Sequence, residues 1–126
     1  MPPAVLPSDE LASALAKLDE IAAFLEDHPG VELYHKNYRK LPAARRSLRS
    51  IRSALRGFIR ANRNNAKMRR KLRSCNRLVG QNSATLHNMQ KAQFRQFVDA
   101  LTDKVDALNL EPPLPPLPRL PRGTPS

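Results

Sequence analysis

Cysteine and large aromatic residues are scarce in this sequence, and their scarcity excludes several classes of protein. The chain of 126 residues has one cysteine, Cys75, so it cannot form an internal disulfide and is not a disulfide-stapled secreted domain. It has no tryptophan, and aromatic residues make up only 5 % of it. A chain this short with so few large side chains has little core to spare for a pocket of enzyme size.

Long apolar runs, a targeting segment and catalytic motifs are also missing. No apolar run approaches the ~18 residues of a membrane-spanning helix, and residues 1–9 lack the basic and apolar regions of a signal peptide. The three histidines have no metal-ligand spacing with Cys75. No nucleophile–histidine–acid set or pair of catalytic carboxylates is recognisable. We therefore expect a soluble cytoplasmic protein that is not an enzyme and holds no metal or other cofactor.

Acidic residues are absent from the centre of the chain. Between Lys36 and Arg77 there are sixteen basic residues, twelve of them arginine, and no Asp or Glu. Residues 1–30, in contrast, carry six acids and one base. The formal net charge of +11 therefore understates the positive field over the centre, which predicts a polyanionic partner.

The spacing of apolar residues predicts an all-α protein. Leu11, Leu18 and Leu25 recur at the period of a helix, as do Leu48 and Leu55, and no stretch alternates in the way a half-buried strand does. Pro42 fits the first turn of the second helix. The other expected boundaries are a Ser8 cap for the first helix, its stop at residues 28–30, a stop at Gly80 and a Ser83 cap for the last helix. Residues 63–65 are weak helix formers, and the pattern leaves open whether they break the central helix.

Two or three such helices would form only a thin core. We therefore expect an antiparallel helical hairpin or bundle of about three helices, completed by formation of a homodimer. This helical domain comprises residues 1–110. Residues 111–126, with seven of the twelve prolines, cannot continue a helix and are predicted to be a disordered tail.

Six arginines fall on one face of the central helix. At ~100° per residue they occupy an arc of ~80°, turned away from the apolar group that includes Leu48, Ile51 and Leu55, and they extend over ~27 Å. Two arginines of the next segment continue the row. The predicted RNA-binding residues are Arg45, Arg49, Arg52, Arg56, Arg60, Arg63, Arg70 and Arg73.

The chemistry of this row favours the backbone of a duplex as the ligand. A guanidinium binds two phosphate oxygens at once, which explains arginine in preference to lysine. Like charges on one face repel each other, and no acid is interleaved to relieve them. Single-strand binders offer aromatic platforms, which this segment has few of. We predict sequence-independent binding of double-stranded RNA through phosphates and 2′-hydroxyls, and the choice between RNA and DNA stays open.

The organisation of residues 9–80 resembles the small RNA-silencing suppressors of insect nodaviruses. The shared elements are an amphipathic first helix (11–25), a turn leading into Tyr34, a longer basic helix (43–61) and a polar break before another helix, and residues 101–110 followed by prolines look similar. The resemblance implies a viral protein, a helical dimer that lies along duplex RNA and shields it from dicing and loading. It also implies RNA contacts by Arg49, Arg52, Arg56 and Arg60. The arginine content of this chain is higher than in that family.

A second class of function is an interaction scaffold. In this alternative a coiled-coil adaptor would present the basic face to an acidic protein or an anionic membrane. Its tail would recruit a WW or SH3 domain, since the two overlapping PPLP units favour a polyproline II helix. Residues 67–73 also fit a nuclear-localisation pattern. The tail motif consists of Pro112, Pro113, Leu114, Pro115, Pro116, Leu117 and Pro118.

Overall fold

The computed structural model describes residues 7–33 and 40–110, which form four α-helices. These are α1 (Pro7–Asp27), α2 (Lys40–Ala61), α3 (Ala66–Thr85) and α4 (Lys91–Ala107), with a 3₁₀ turn at Leu86–Asn88. No strand occurs within these ranges. The all-α prediction is confirmed, with four helices where about three were expected. Residues 112–118 of the tail motif lie outside the described residues.

Consecutive helices run antiparallel, and the last helix returns to the side of the first. Each helix packs against its neighbours in the chain, and α4 also packs against α1. Gly57, near the end of α2, lies beside Pro7 at the start of α1. Arg95, early in α4, bonds to Glu26, late in α1. The arrangement is an up-down-up-down four-helix bundle.

The core is formed by the apolar stripes that the sequence pattern predicts, together with α4. Leu18, Leu25, Leu48 and Leu55 are essentially inaccessible to solvent, and Phe94 of α4 is the largest of the fully buried side chains. Burial of each such side chain contributes ~1.5–3 kcal/mol. The fourth helix closes the core within one chain, so the thin core that motivated the dimer is thicker than expected, and the homodimer stays a prediction.

Three expected boundaries are wrong. The sequence pattern has Gly80 ending one helix and Ser83 capping the next, but both lie inside α3, which continues to Thr85. The apolar stripe of α3 continues through Val79 to Leu86, and its burial outweighs the ~1 kcal/mol that a glycine costs in a helix. The cap at Ser8 is also misplaced, since α1 begins at Pro7. Pro is favourable in the first turn because it lacks only an N–H that would be unsatisfied there.

Residues 62–65 separate α2 from α3, so the central helix is broken at the polar segment where the pattern leaves both alternatives open. Asn62 donates its side-chain amide to the carbonyl of Phe58 at 2.8 Å, which satisfies one of the last carbonyls of α2. Asn65 is the N-cap of α3, and its Oδ1 accepts a hydrogen bond from the Met68 N–H at 3.1 Å. The stop of α1 at residues 28–30 is confirmed, and Pro42 lies in the first turn of α2.

Lys91 fixes the start of α4 to the end of α1. Its Nζ donates to the carbonyls of Leu25, His28 and Pro29 at 3.1, 3.2 and 3.1 Å. A cation is favourable here because the last carbonyls of a helix carry partial negative charge. Glu32 lies 3.8 Å from the same ammonium group.

Arg95 makes the second link between α4 and α1. Its guanidinium reaches Asp19 at 2.7 Å and donates to both carboxylate oxygens of Glu26 at 3.0 and 3.1 Å. Asp99, one turn later on α4, lies 3.3 Å away. The hydrogen bonds that Arg95 donates hold the pKa of Glu26 below its ordinary value, and the same bonds, accepted by Glu26 and Asp19, raise the pKa of Arg95.

We expect Arg95→Gln to lower the free energy of unfolding at neutral pH. The folded-state pKa of Glu26 lies below its unfolded value, so this contribution is complete above the ordinary carboxyl pKa of 4.5 and is lost as the pH falls through the folded value. The difference in the free energy of unfolding between variant and wild type, measured by urea unfolding, should therefore become smaller in acid. Arg46→Gln, an exposed arginine of α2, is the control. A difference in the free energy of unfolding that stays constant with pH would contradict the role of the carboxylates.

Cys75 is a buried thiol of α3. Burial raises its pKa to about 11, against an opposing effect of the Lys104 charge. Because the thiolate is the reactive form, we expect a thiol reagent at neutral pH to label the native protein only at the rate of unfolding. Ser74→Cys in a Cys75→Ser background places a half-buried thiol one residue away and should react faster. Equal rates for the two proteins would contradict the burial.

Candidate nucleic-acid interface

The predicted arginine row lies on the outer face of α2. Its buried face consists of Ala44, Leu48, Ile51, Ala54 and Leu55 with the side chain of Ser47. Five of the six arginines are exposed, and Arg52 is half-buried. Arg63 is in the turn that follows α2 and extends the row beyond the helix. The exposed members are Arg45, Arg49, Arg56, Arg60 and Arg63.

Two contacts place the row next to α3. A Cβ built on Gly80 would lie 3.9 Å from Cζ and Nη2 of Arg52, so this guanidinium rests against α3 where that helix has no side chain. Near the other end of α3, Nη1 of Arg69 donates to the carbonyl of Arg63. Arg69 and Gly80 are eleven residues apart, which is three turns of a helix, so one face of α3 borders α2.

A second set of arginines lines the α3 side of the same surface. Arg73, a predicted site residue, and Arg77 are exposed on this side of α3, whereas Arg70, the other predicted residue of α3, is exposed but turns toward α4. At ~100° per residue, Arg73 is ~30° and Arg77 ~70° from the middle of the α2-facing side, taken between Arg69 and Gly80. Together with the α2 row they form a basic surface on both sides of the α2–α3 groove, which we call the arginine groove.

None of the arginines in this groove is neutralised within the described part of the chain. Every ion pair there involves Lys17, Lys91 or Arg95. The acids of α1, which are the nearest in sequence, are partly engaged by α4 through Asp19 and Glu26. The positive charges of α2 and α3 therefore repel one another with no internal carboxylate to offset them.

The arginine groove also contains polar atoms with unused hydrogen-bonding capacity. Four buried side-chain polar atoms lack a partner among the described residues, and three are Nε of Arg52, Nε of Arg69 and Oδ1 of Asn76. Asn76 lies between Arg69 and Gly80 on the face of α3 that borders α2. A buried polar atom without a partner costs ~1–3 kcal/mol. These three atoms lie beneath the groove surface, where the exposed guanidinium groups present free cationic charge.

Sequence reasoning places the arginines but misses their neighbours across the groove. Arg69, Asn76 and Gly80 are at spacings of seven and four, which puts them on one face of a continuous α3. That signal is hidden when Gly80 is interpreted as a helix stop. Aromatic platforms are lacking on the described part of this surface, since Phe58 packs against the core. Tyr34 and Tyr38 lie outside the described residues.

Metal clusters and membrane-spanning helices are not found among the described residues. They contain no group of three or more His, Cys, Asp or Glu side chains that could hold a metal ion. None of the four helices is long and apolar enough to cross a membrane. No protein-family model, curated protein sequence or solved structure matches this chain.

We expect Gly80→Ala to raise the free energy of unfolding by about 0.5–1 kcal/mol, because alanine is favoured over glycine inside a helix. The new Cβ would meet Arg52 at 3.9 Å, which is an ordinary van der Waals distance. Gly57→Ala is the matched control, with Pro7 Cγ at 3.7 Å. Chemical unfolding of both variants measures the effect. A loss of stability at Gly80 alone would show that Arg52 packs more tightly there.

Proposed function

We propose that this protein binds double-stranded RNA through the arginine groove, without preference for sequence. The observation that carries the proposal is the set of exposed arginines on α2 and α3 that no carboxylate of the described chain neutralises. Arg45 to Arg60 extend over ~22 Å of rigid helix, a geometry that suits successive phosphates of a nucleic-acid backbone.

The absence of exposed aromatic side chains on the described part of the groove favours a duplex over a single strand. Single-strand binding draws much of its affinity from bases stacked on aromatic rings, at ~1–3 kcal/mol per base. A duplex hides its bases and presents phosphates and sugars. Arginines spread evenly along a helix meet those groups without reading base edges, so affinity would depend little on sequence.

Asn76 supports RNA over DNA as the ligand. Its Oδ1 needs a donor, and phosphate oxygens are acceptors only. The 2′-hydroxyl of RNA is both donor and acceptor, so it can serve Asn76 as well as the Nε–H groups of Arg52 and Arg69. Oδ1 of Asn76 is buried, so this contact requires the side chain to turn outward when RNA binds.

A protein that covers duplex RNA along its backbone would exclude nucleases and loading factors from it. This consequence, with the resemblance to nodavirus suppressors, supports a viral suppressor of RNA silencing as the biological role. A homodimer would extend the basic surface along the duplex. Binding that requires a duplex long enough to span two protomers would support the homodimer.

Arg49→Gln combined with Arg56→Gln tests the proposal on two exposed residues whose replacement leaves the core intact. We expect the slope of log affinity against log salt to become less steep by about 2, one for each phosphate that the variant no longer neutralises. Fluorescence anisotropy with duplex RNA of two unrelated sequences measures this, and circular dichroism checks helicity. Lys17→Gln on α1 should change neither affinity nor slope beyond a small general effect.

Three outcomes would overturn the proposal. These are a wild-type protein without saturable duplex binding, a double variant that binds as well as wild type, and an affinity that varies strongly with sequence. Equal affinity for duplex DNA would reject the role of Asn76 in selecting RNA. Binding to anionic vesicles in place of RNA would favour the scaffold alternative.

A further inference from the structure

A second basic site lies on the other side of α3, between α3 and the last turn of α4. It is a cleft with a volume of about 280 Å³. Arg70, Lys71 and Ser74 of α3 line one wall, and Lys104 of α4 lines the other. Ala107 and Leu108 complete the lining and make part of it apolar. We call it the α3–α4 cleft.

Three cations share this cleft without a carboxylate. No Asp or Glu belongs to its lining, and none of its three basic side chains forms an ion pair within the described residues. The acids of the same turns of α4, Asp103 and Asp106, are exposed and do not line the cleft. Mutual repulsion of the cations is therefore unrelieved, and an anion in the cleft would relieve it.

A hydrogen bond across the cleft preorganises its polar groups. Nζ of Lys104 donates to Oγ of Ser74 at 3.2 Å, which joins α4 to α3. One lone pair of the Ser74 hydroxyl oxygen accepts from the ammonium group, and the hydroxyl hydrogen can still be donated to a ligand. The ammonium group retains two further hydrogens. The cleft thus offers a guanidinium, two ammonium groups and a hydroxyl donor to one ligand.

We propose that the α3–α4 cleft binds a phosphate monoester, the terminal phosphate of a nucleotide or of an RNA strand. A monoester carries up to two negative charges and three terminal oxygens, which matches three cations and a hydroxyl better than the single charge of a backbone diester. The apolar wall of Ala107 and Leu108 accommodates the carbon skeleton that carries the phosphate. The proposal does not depend on duplex binding, because the cleft is on the side of α3 away from α2.

Calorimetric titration of the full-length protein with adenosine 5′-monophosphate, inorganic phosphate and adenosine tests the site. Saturable binding of the monophosphate and of phosphate is expected, with none for adenosine. Lys104→Gln should weaken monophosphate binding about tenfold, since it removes a hydrogen bond to a charged group. Lys67→Gln removes the same charge from an exposed position of α3 outside the cleft and should have little effect.

Duplex RNA with and without a 5′-phosphate separates this site from the arginine groove. Lys104→Gln should abolish any preference for the phosphorylated end and retain duplex binding. The Arg49→Gln, Arg56→Gln variant should bind the duplex more weakly and bind the monophosphate as well as wild type does. The proposal would be overturned by no saturable monophosphate binding, by equal binding of adenosine, or by equal losses in Lys104→Gln and Lys67→Gln. A monophosphate that binds without any preference for phosphorylated RNA ends identifies free nucleotides as the source.

Discussion

Arg95 takes part in three of the five ion pairs among the described residues. It binds Asp19 and Glu26 of α1 at 2.7 and 3.0 Å, and Lys91 holds the end of the same helix through three carbonyls. The chain has half as many acids as bases, so carboxylates engaged by α4 are not available to α2. The docking of the fourth helix therefore leaves fewer carboxylates that could neutralise the arginines of the groove.

The described helices could be predicted to different degrees, for physical reasons. α1 and α2 have regular apolar stripes and polar terminators, so periodicity locates them to within a few residues. The sequence pattern wrongly divides α3 in two. Glycine and serine indicate only a local preference for a helix end, and the packing of Val79 and Leu86 outweighs that preference. The place of α4 beside α1 depends on contacts between residues about seventy positions apart, which no local pattern reports.

The candidate sites show the same division between local and distant information. The arginine row follows from angular spacing on one helix, so its direction away from the α2 core could be calculated from sequence. The partial burial of Arg52 against Gly80 and the meeting of Lys104 with Ser74 depend on how neighbouring helices are placed. Exposure alone therefore separates Arg49 and Arg56 from Arg52, although the three are equivalent in the sequence pattern.

The link between Arg95 and Asp19, which spans 76 residues, has a consequence for how the molecule folds. Closing so long a loop carries an entropic cost that local helix contacts do not share, and contacts of this separation slow folding. During synthesis α1, α2 and α3 leave the ribosome before α4 does. In that interval Asp19 and Glu26 have no Arg95 to bind, so the link between the first and last helices forms only after the whole bundle has been synthesised.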